Sequence, residues 1–412
     1  MTTPDAGAAP GLETVEAHLA GVLAAIRPLE PARLALAEAD GGVLAEDAAA
    51  RCPLPSFDNS AMDGYAVHAA DVAGAAGGSP AALPVTGDVP AGDTRALILA
   101  PGTCLRIMTG ALLPAGADAV VPVEWTDGGR DTVRIFQPAP AGNAIRRRGD
   151  DVAEGEVLLK PGIRLGPAQL GLLAASGHPA PLVRPRPRVA VIATGNELTD
   201  PGKPLIPGRI WDSNSYLLAA AARQAGAAAV RRWVSDDPAA VLAMLEEHSE
   251  TADLLITSGG VSMGGEHDVV KAALAGRAEV TFCKVAMQPG MPQGFGVVGR
   301  RRAPIFTLPG NPVSAFVSFQ LFVRPALDAL QGLPPAARPA VRAALSGPAR
   351  SPLGKRSFLR GVLDPGAGTV MPLTGQGSHQ LGALARANAL IVVPERVTAL
   401  AAGETADVLP LP

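Results

Sequence analysis

Three apolar runs between residues 187 and 333 each break at their carboxyl end into a glycine-containing turn: "VAVIATGNEL", "LLITSGGVSMGGEHD" and "APIFTLPGNPVSAF". Unbroken apolar runs of this kind mark parallel strands buried on both faces. Helices separate them. "DSNSYLLAAAARQAG" opens with an Asp/Ser cap and stops at Gly, as helix ends require. "DDPAAVLAMLEEH" carries Pro238 near its first turn, where a missing N–H breaks no bond. A long helix follows the third run. Strands alternating with helices predict a doubly wound sheet over residues 187–333, and ligands of such sheets bind beyond the carboxyl ends of the strands.

The second turn offers two chemistries. Gly260-Val261-Ser262-Met263-Gly264 spells G-x-S-x-G, the nucleophile elbow of serine hydrolases. An elbow serine sits in the sharp turn between strand and helix, but here the strand ends near Thr257 and Ser258-Gly259-Gly260 fills that turn. A triad also needs a histidine after the serine. His267 is too near, and His379 lies across a linker. The competing reading is an anion cradle. Gly259, Gly260, Gly264 and Gly265 let a phosphate approach the backbone. In the third turn, Pro309-Gly310-Asn311-Pro312, Asn311 caps the helix, Pro312 takes its first position and Ser314 its first turn. The free N–H groups of such a helix end bind anions without a lysine. Three such turns on one sheet edge favour a phosphate-bearing ligand.

A phosphate-bearing ligand invites a hard cation. Carboxylates near the strand ends are Glu197, Asp236, Asp237 and Asp268, which with phosphate oxygens suit Mg²⁺. His18, His68, His178 and His248 are scattered without metal-ligand spacing and read as surface or capping residues. Cys52, Cys104 and Cys283 form no C-x-x-C, which predicts a reducing compartment and no structural zinc. The start "MTTPDAGAAP" lacks the features of a signal peptide, and no uncharged apolar stretch reaches bilayer length. A cytoplasmic protein is expected. The net charge of -3 gives no reason to expect nucleic acid or an anionic membrane as partner.

Elsewhere the texture differs. Thr14 to Arg27 has helical spacing, and a second helical piece is expected over Leu34 to Glu38. From Cys52 to about Asn143, short runs such as "YAVHAAD", "LPVTGDV" and "TCLRIMTG" alternate with Gly and Pro turns, predicting a β-rich unit. "EGEVLLKPGIRLGPAQLGLLAASG" then gives a strand, a turn and a helix ending at Gly177. An inserted domain explains this order. Arg300-Arg301-Arg302 reads as a hairpin tip, whereas Arg146-Arg147-Arg148 runs into Asp150 and Asp151 and is a candidate site segment. Beyond "GLPPAARPA", short strands such as "SFLRGVL" and "ALIVVP" predict a small all-β domain.

"DNSAMDGYA", "RIMTGA", "GADAVVPVE", "RRRGDD", "ATGNEL", "TSGGVSMG", "LPGNPVS" and "SFLRG" together resemble the molybdopterin molybdenumtransferase family, to which the C-terminal domain of gephyrin is related. The resemblance covers nearly the whole chain in order. It implies a multidomain α/β plus β fold: a helical/β domain from residues 13–51 and 145–186, an inserted β domain over 52–144, the doubly wound domain over 187–333 and a β-barrel over 334–412. It implies an elongated homodimer with composite active sites, and transient contact with a molybdopterin adenylyltransferase and with recipient molybdoenzymes. The implied reaction inserts molybdenum from molybdate into adenylylated molybdopterin, releases AMP and requires Mg²⁺.

Carried over by motif, Asp63, Thr109, Asp151, Glu197 and Asp236 are the catalytic candidates, with Glu197 and Asp236 as Mg²⁺ ligands. Ser258, Gly259, Gly260, Ser262, Asp268, Lys284, Pro309, Gly310, Asn311, Pro312, Ser314, Arg360 and Ser378 are the substrate-binding candidates. On this reading Ser262 is not a nucleophile. Two departures stand out. "VAMQPGMP" places Gln288 and Met291 where the family often has lysines, and "SMGGEHD" is one residue longer than usual. Two other functions share the fold: an adenylyltransferase, which needs only the α/β module, and a non-catalytic dimeric scaffold.

Overall fold

A computed structural model of the protein describes residues 11–260, 268–276, 279–334 and 339–411. The chain divides into two compact units, one of residues 33–40 and 44–183, the other of residues 1–32, 41–43 and 184–412.

In the first unit, a five-stranded sheet runs in the order Ala119–Pro122, Gly64–Val67, Cys104–Ile107, Ala81–Val89 and Thr132–Ile135. Tyr65, Val67, Val121, Val133 and Ile135 fill one side of it, and Ala66, Leu105, Ile107 and Val120 the other, as the two-residue period of a strand requires. "YAVHAAD" is strand only to Val67; Ala69–Val72 is a short helix. Outside the sheet, helix Pro167–Ala175 packs Leu173 against Leu44, Leu159, Leu165 and Val183. The expected helical piece at Leu34 to Glu38 is a turn. Leu34 and Leu36 donate to the carbonyls of Pro181 and Pro179 at 3.3 Å, and only one turn forms beyond them, with Glu38 and Ala39 donating to the Ala35 carbonyl at 2.8 and 3.0 Å.

In the second unit, the doubly wound sheet runs in the order Ala228–Val234, Arg188–Thr194, Leu254–Ser258, Ala303–Leu308, Pro292–Val298 and Glu279–Lys284. The first four strands are parallel, and Pro292–Val298 runs antiparallel to both its neighbours, so Glu279–Lys284 shares the direction of the first four. Gly299 to Arg302 is the hairpin tip that the arginine run predicted. Apolar residues alternate between two layers: Val191, Leu254, Ile256 and Phe306 face one, Ala190, Ile192, Leu255 and Ile305 the other. Burying each large aliphatic side chain stabilises the fold by roughly 1.5–3 kcal/mol.

Helix Val15–Ala25, capped by the Thr14 hydroxyl, joins the first layer through Val15 and Val22. Helix Pro312–Leu330 is long and apolar enough to cross a bilayer, but 72% of that stretch is buried inside the protein as a core helix. It winds as a π-helix over Phe319–Val323, just before Pro325 removes a backbone donor.

The last domain is a closed barrel of five strands. Arg356–Asp364 pairs with Thr369–Pro372 and with Ala389–Val393, and Val341–Leu345 and Thr405–Pro410 complete the ring. Closure pairs the strands with one another and leaves only the start of Arg356–Asp364 open to a further strand. Short strand Met287–Gln288 adds to Arg356–Asp364, with Gln288 opposite Ser357.

Candidate active site

Two groups of candidate residues emerge, one in each unit. In the first unit, Asp63 and Thr109 meet: the Thr109 backbone N–H and its hydroxyl both donate to Asp63 Oδ1 at 2.7 Å. These bonds hold the exposed Asp63 carboxyl below the usual carboxylate range, the backbone bond first. Strand Asn59–Ser60 pairs with Ile145–Arg146, bringing "DNSAMDG" beside "RRRGDD". Asp58 accepts from the Arg148 N–H at 2.8 Å and from Arg147 Nη1 at 2.7 Å, so its pKa is also lowered. Asp151 is exposed and fixed by its own N–H, which donates to the Leu54 carbonyl at 2.9 Å.

In the second unit, the three turns do converge at one sheet end. Ser258 closes the strand, and Gly259 and Gly260 follow at φ +96° and +65°, where L side chains are disfavoured. A Cβ on Gly259 would sit 2.8 Å from the Thr194 carbonyl oxygen, and one on Gly260 2.9 Å from Val270 Cγ2. The glycines are therefore required by the packing itself, whatever ligand they meet. Gly259 donates its N–H to the Leu308 carbonyl at 3.3 Å. Asn214, at the start of its helix, bridges the second and third turns: its amide nitrogen donates to Ser258 Oγ at 2.8 Å and to the Gly310 carbonyl at 2.6 Å. The buried Thr194 hydroxyl and Asn214 Oδ1 have no partner among the described residues. Asn214 was missed in the sequence because "DSNS" is explained by capping alone. Asp212 does cap, accepting the Ser215 N–H at 3.0 Å.

Pro309 is buried, Gly310 and Asn311 are exposed, Pro312 opens the helix and Ser314 is buried in its first turn. Asn311 holds the cap position but its side chain makes no capping bond, so the first-turn N–H groups rely on other acceptors. One is found: Val313 donates to the Ser378 carbonyl at 3.0 Å. That contact carries the site into the barrel. Arg360 is fully buried, and its Nη2 donates to the carbonyls of Gly375 and Gly377, the latter at 3.1 Å. Gln376 braces the same residue, accepting the Arg360 N–H and donating to its carbonyl, both at 2.9 Å. Nε and Nη1 of Arg360 have no partner among the described residues, and burial lowers its pKa.

Glu197 and Asp236 stand exposed at the ends of adjacent parallel strands. Asp236 Oδ2 accepts the Asn196 N–H at 2.7 Å, and the Asp236 N–H donates to Asn196 Oδ1 at 3.2 Å. The Glu197 carboxylate folds over Gly195, where a Cβ would lie 2.4 Å from its Oε2. Two hard oxygen donors without a third suit Mg²⁺, which keeps water and binds through one or two carboxylates plus phosphates. Asp237 caps its helix through the Ala239 N–H at 3.2 Å. Asp268 opens helix Val269–Leu274 without a side-chain cap. Lys284 is exposed at the end of its strand. Ser262, Gly264 and Gly265 lie outside the described residues.

Comparison with known proteins decides the family. The MoeA N-terminal region (domains I and II) matches residues 13–177, a probable molybdopterin binding domain matches 190–329, and the MoeA C-terminal region (domain IV) matches 342–411. The chain belongs to the molybdopterin molybdenumtransferase (MoeA) family. Molybdopterin molybdenumtransferase 2 of Mycobacterium tuberculosis is 51% identical over 399 residues, covering 95% of this chain and 98% of that one. The molybdopterin molybdenumtransferase of Nostoc is 37% identical, covering 91% and 87%. Among solved structures, a molybdopterin biosynthesis MoeA protein from Pyrococcus horikosii superposes with a TM-score of 0.73 at 32% identity, covering 97% of this chain and 99% of that one. The MoeA fold expected from the motifs, an α/β domain with β domains and a closed barrel, is the fold observed.

Proposed function

We propose that this chain inserts molybdenum from molybdate into adenylylated molybdopterin and releases AMP, with molybdate docked at Arg360 and the pterin nucleotide along the glycine turns. One observation carries the reading: the buried Arg360 guanidinium is anchored through Nη2 while Nε and Nη1 lack partners among the described residues. An unpaired buried donor costs on the order of 1–3 kcal/mol, more when charged. A tetrahedral oxyanion accepting from both nitrogens offsets that cost, and paired guanidinium donors match its oxygens.

The neighbouring residues fit the rest of the substrate. The Gly259–Gly260 turn presents backbone rather than side chain, and the helix that opens at Pro312 offers its positive dipole end to phosphate. Insertion forms two molybdenum–sulfur bonds as one molybdate oxygen takes the two dithiol protons and leaves as water, while a second water adds to phosphorus, cleaving the phosphoanhydride into AMP and the pterin phosphate. Glu197 and Asp236 would hold the Mg²⁺, which when bound would supply positive charge against the phosphate oxygens. Lys284, the cation remaining beside Gln288 and Met291, assists oxyanion entry from its exposed position. We further infer a cytoplasmic homodimer in which Asp63, Thr109 and Asp151 of one subunit complete the site of its partner, with transient contacts to the adenylyltransferase that supplies substrate and the molybdoenzymes that receive product.

The test is direct reconstitution. Protein incubated with adenylylated molybdopterin, Mg²⁺ and molybdate should release AMP and yield a molybdenum-containing pterin by mass spectrometry. Adenylylation of free molybdopterin by ATP, with no molybdenum uptake, would instead make this an adenylyltransferase.

A further inference from the structure

We propose that Glu13, His18 and Cys283 form a site for a borderline divalent cation of the Zn²⁺ type, apart from the carboxylates that suit Mg²⁺. Three ligand atoms of different chemistry lie within 4.8 Å of one another: a Glu13 carboxylate oxygen, His18 Nδ1 and Cys283 Sγ. His18 Nδ1 is 3.1 Å from Glu13 Oε2 and 3.4 Å from Cys283 Sγ. Around a tetrahedral zinc with Zn–N and Zn–O of about 2.0 Å and Zn–S of about 2.3 Å, the corresponding edges are roughly 3.3 and 3.5 Å. Two edges therefore match a coordination tetrahedron, and the third, between the carboxylate oxygen and Sγ, is within 4.8 Å, with the fourth corner left for water. Mixed sulfur, nitrogen and oxygen donors select zinc-like ions over Mg²⁺.

The surroundings hold these corners in place. Glu13 lies alongside Val285 as an added strand, its N–H donating to the Lys284 carbonyl at 2.8 Å and its carbonyl accepting from Ala286 at 2.7 Å. His18 is 7% exposed on helix Val15–Ala25, its ring edge-on to Phe322 at 4.7 Å. The competing account is a hydrogen-bonded triad in which the His18 N–H and the Cys283 thiol both donate to the Glu13 carboxylate; a cation would replace those two protons at the same three atoms. A shared cation satisfies all three. Binding requires the thiol to pass its proton to solvent as the metal–sulfur bond forms. The consequence is a clip between the N-terminal helix and the strand that ends in Lys284.

Tag-free protein titrated with Co²⁺ tests this. One equivalent should bind per chain, with tetrahedral d–d bands and a near-ultraviolet thiolate-to-cobalt charge-transfer band, and Zn²⁺ should displace it. Cys283→Ser should abolish the charge-transfer band and His18→Gln should weaken affinity by more than about tenfold, while Cys52→Ser leaves both unchanged. Zn²⁺ should raise Tm of the parent protein but not of Cys283→Ser. A parent protein with native circular dichroism and no charge-transfer band overturns the proposal. So does a band that persists in Cys283→Ser.

Discussion

Val313 donates its backbone N–H to the Ser378 carbonyl at 3.0 Å, joining the first turn of a helix in the α/β domain to the barrel loop that grips Arg360. The Gly375 and Gly377 carbonyls that hold the guanidinium belong to the same loop as Ser378. Helix end and arginine are thus set by one contact, and substitutions that loosen it should act on substrate affinity before they act on folding.

Asn214 is the next such point. Its two bonds, to Ser258 Oγ and the Gly310 carbonyl, are worth roughly 1–3 kcal/mol together. Asn214→Ala should weaken binding of adenylylated molybdopterin by about five- to a hundredfold, with the far-ultraviolet spectrum unchanged. Calorimetric titration measures this, and equal affinity in parent and variant would remove Asn214 from the site.

The Asp63 carboxyl should titrate below the ordinary Asp value. Its folded pKa is depressed by the Thr109 N–H and hydroxyl, so any stability from this contact is present above the unfolded pKa and is lost as pH falls through the folded one. Thr109→Val removes the hydroxyl but keeps the N–H, and should raise the midpoint part of the way. Carboxyl NMR of Asp63 reads the shift directly; a midpoint at or above the ordinary value would contradict the geometry.

Ser262→Ala should keep molybdenum insertion within about tenfold of the parent, since loss of a true nucleophile costs several orders of magnitude. Labelling of Ser262 by a fluorophosphonate would revive the hydrolase reading.

Asp63→Asn and Glu197→Gln should each be inactive, yet mixing them should restore partial activity if two subunits build each site. Subunit exchange is followed by native mass spectrometry. Exchange without recovered activity would place each site within one chain.

Local pattern made the α/β domain readable, because buried parallel strands are continuous apolar runs and glycine turns mark their ends. Arg300 to Arg302 as a hairpin tip was readable for the same local reason, whereas Asp237, grouped with the cation carboxylates, is a helix cap. Leu34 to Glu38 misled, because its backbone partners, Pro179 and Pro181, are remote in sequence. Remote partners also hid Asn214, whose bonds reach 44 and 96 residues ahead. His18 and His248 are buried rather than surface residues, and the neighbour that gives His18 chemical interest, Cys283, is 265 residues away. Arg360 was legible as a motif residue, but its complete burial, with two nitrogens lacking partners among the described residues, is a property of the barrel.

The most direct measurement is the molybdate concentration for half-maximal insertion in the parent protein, Arg360→Lys and Arg360→Ala, with circular dichroism confirming the barrel in each. Lysine keeps the charge but loses the paired donors, so it should raise that concentration by about tenfold or more, and alanine should raise it further, while affinity for adenylylated molybdopterin changes little. An unchanged molybdate requirement in folded Arg360→Ala would show that the oxyanion docks elsewhere and would contradict the account.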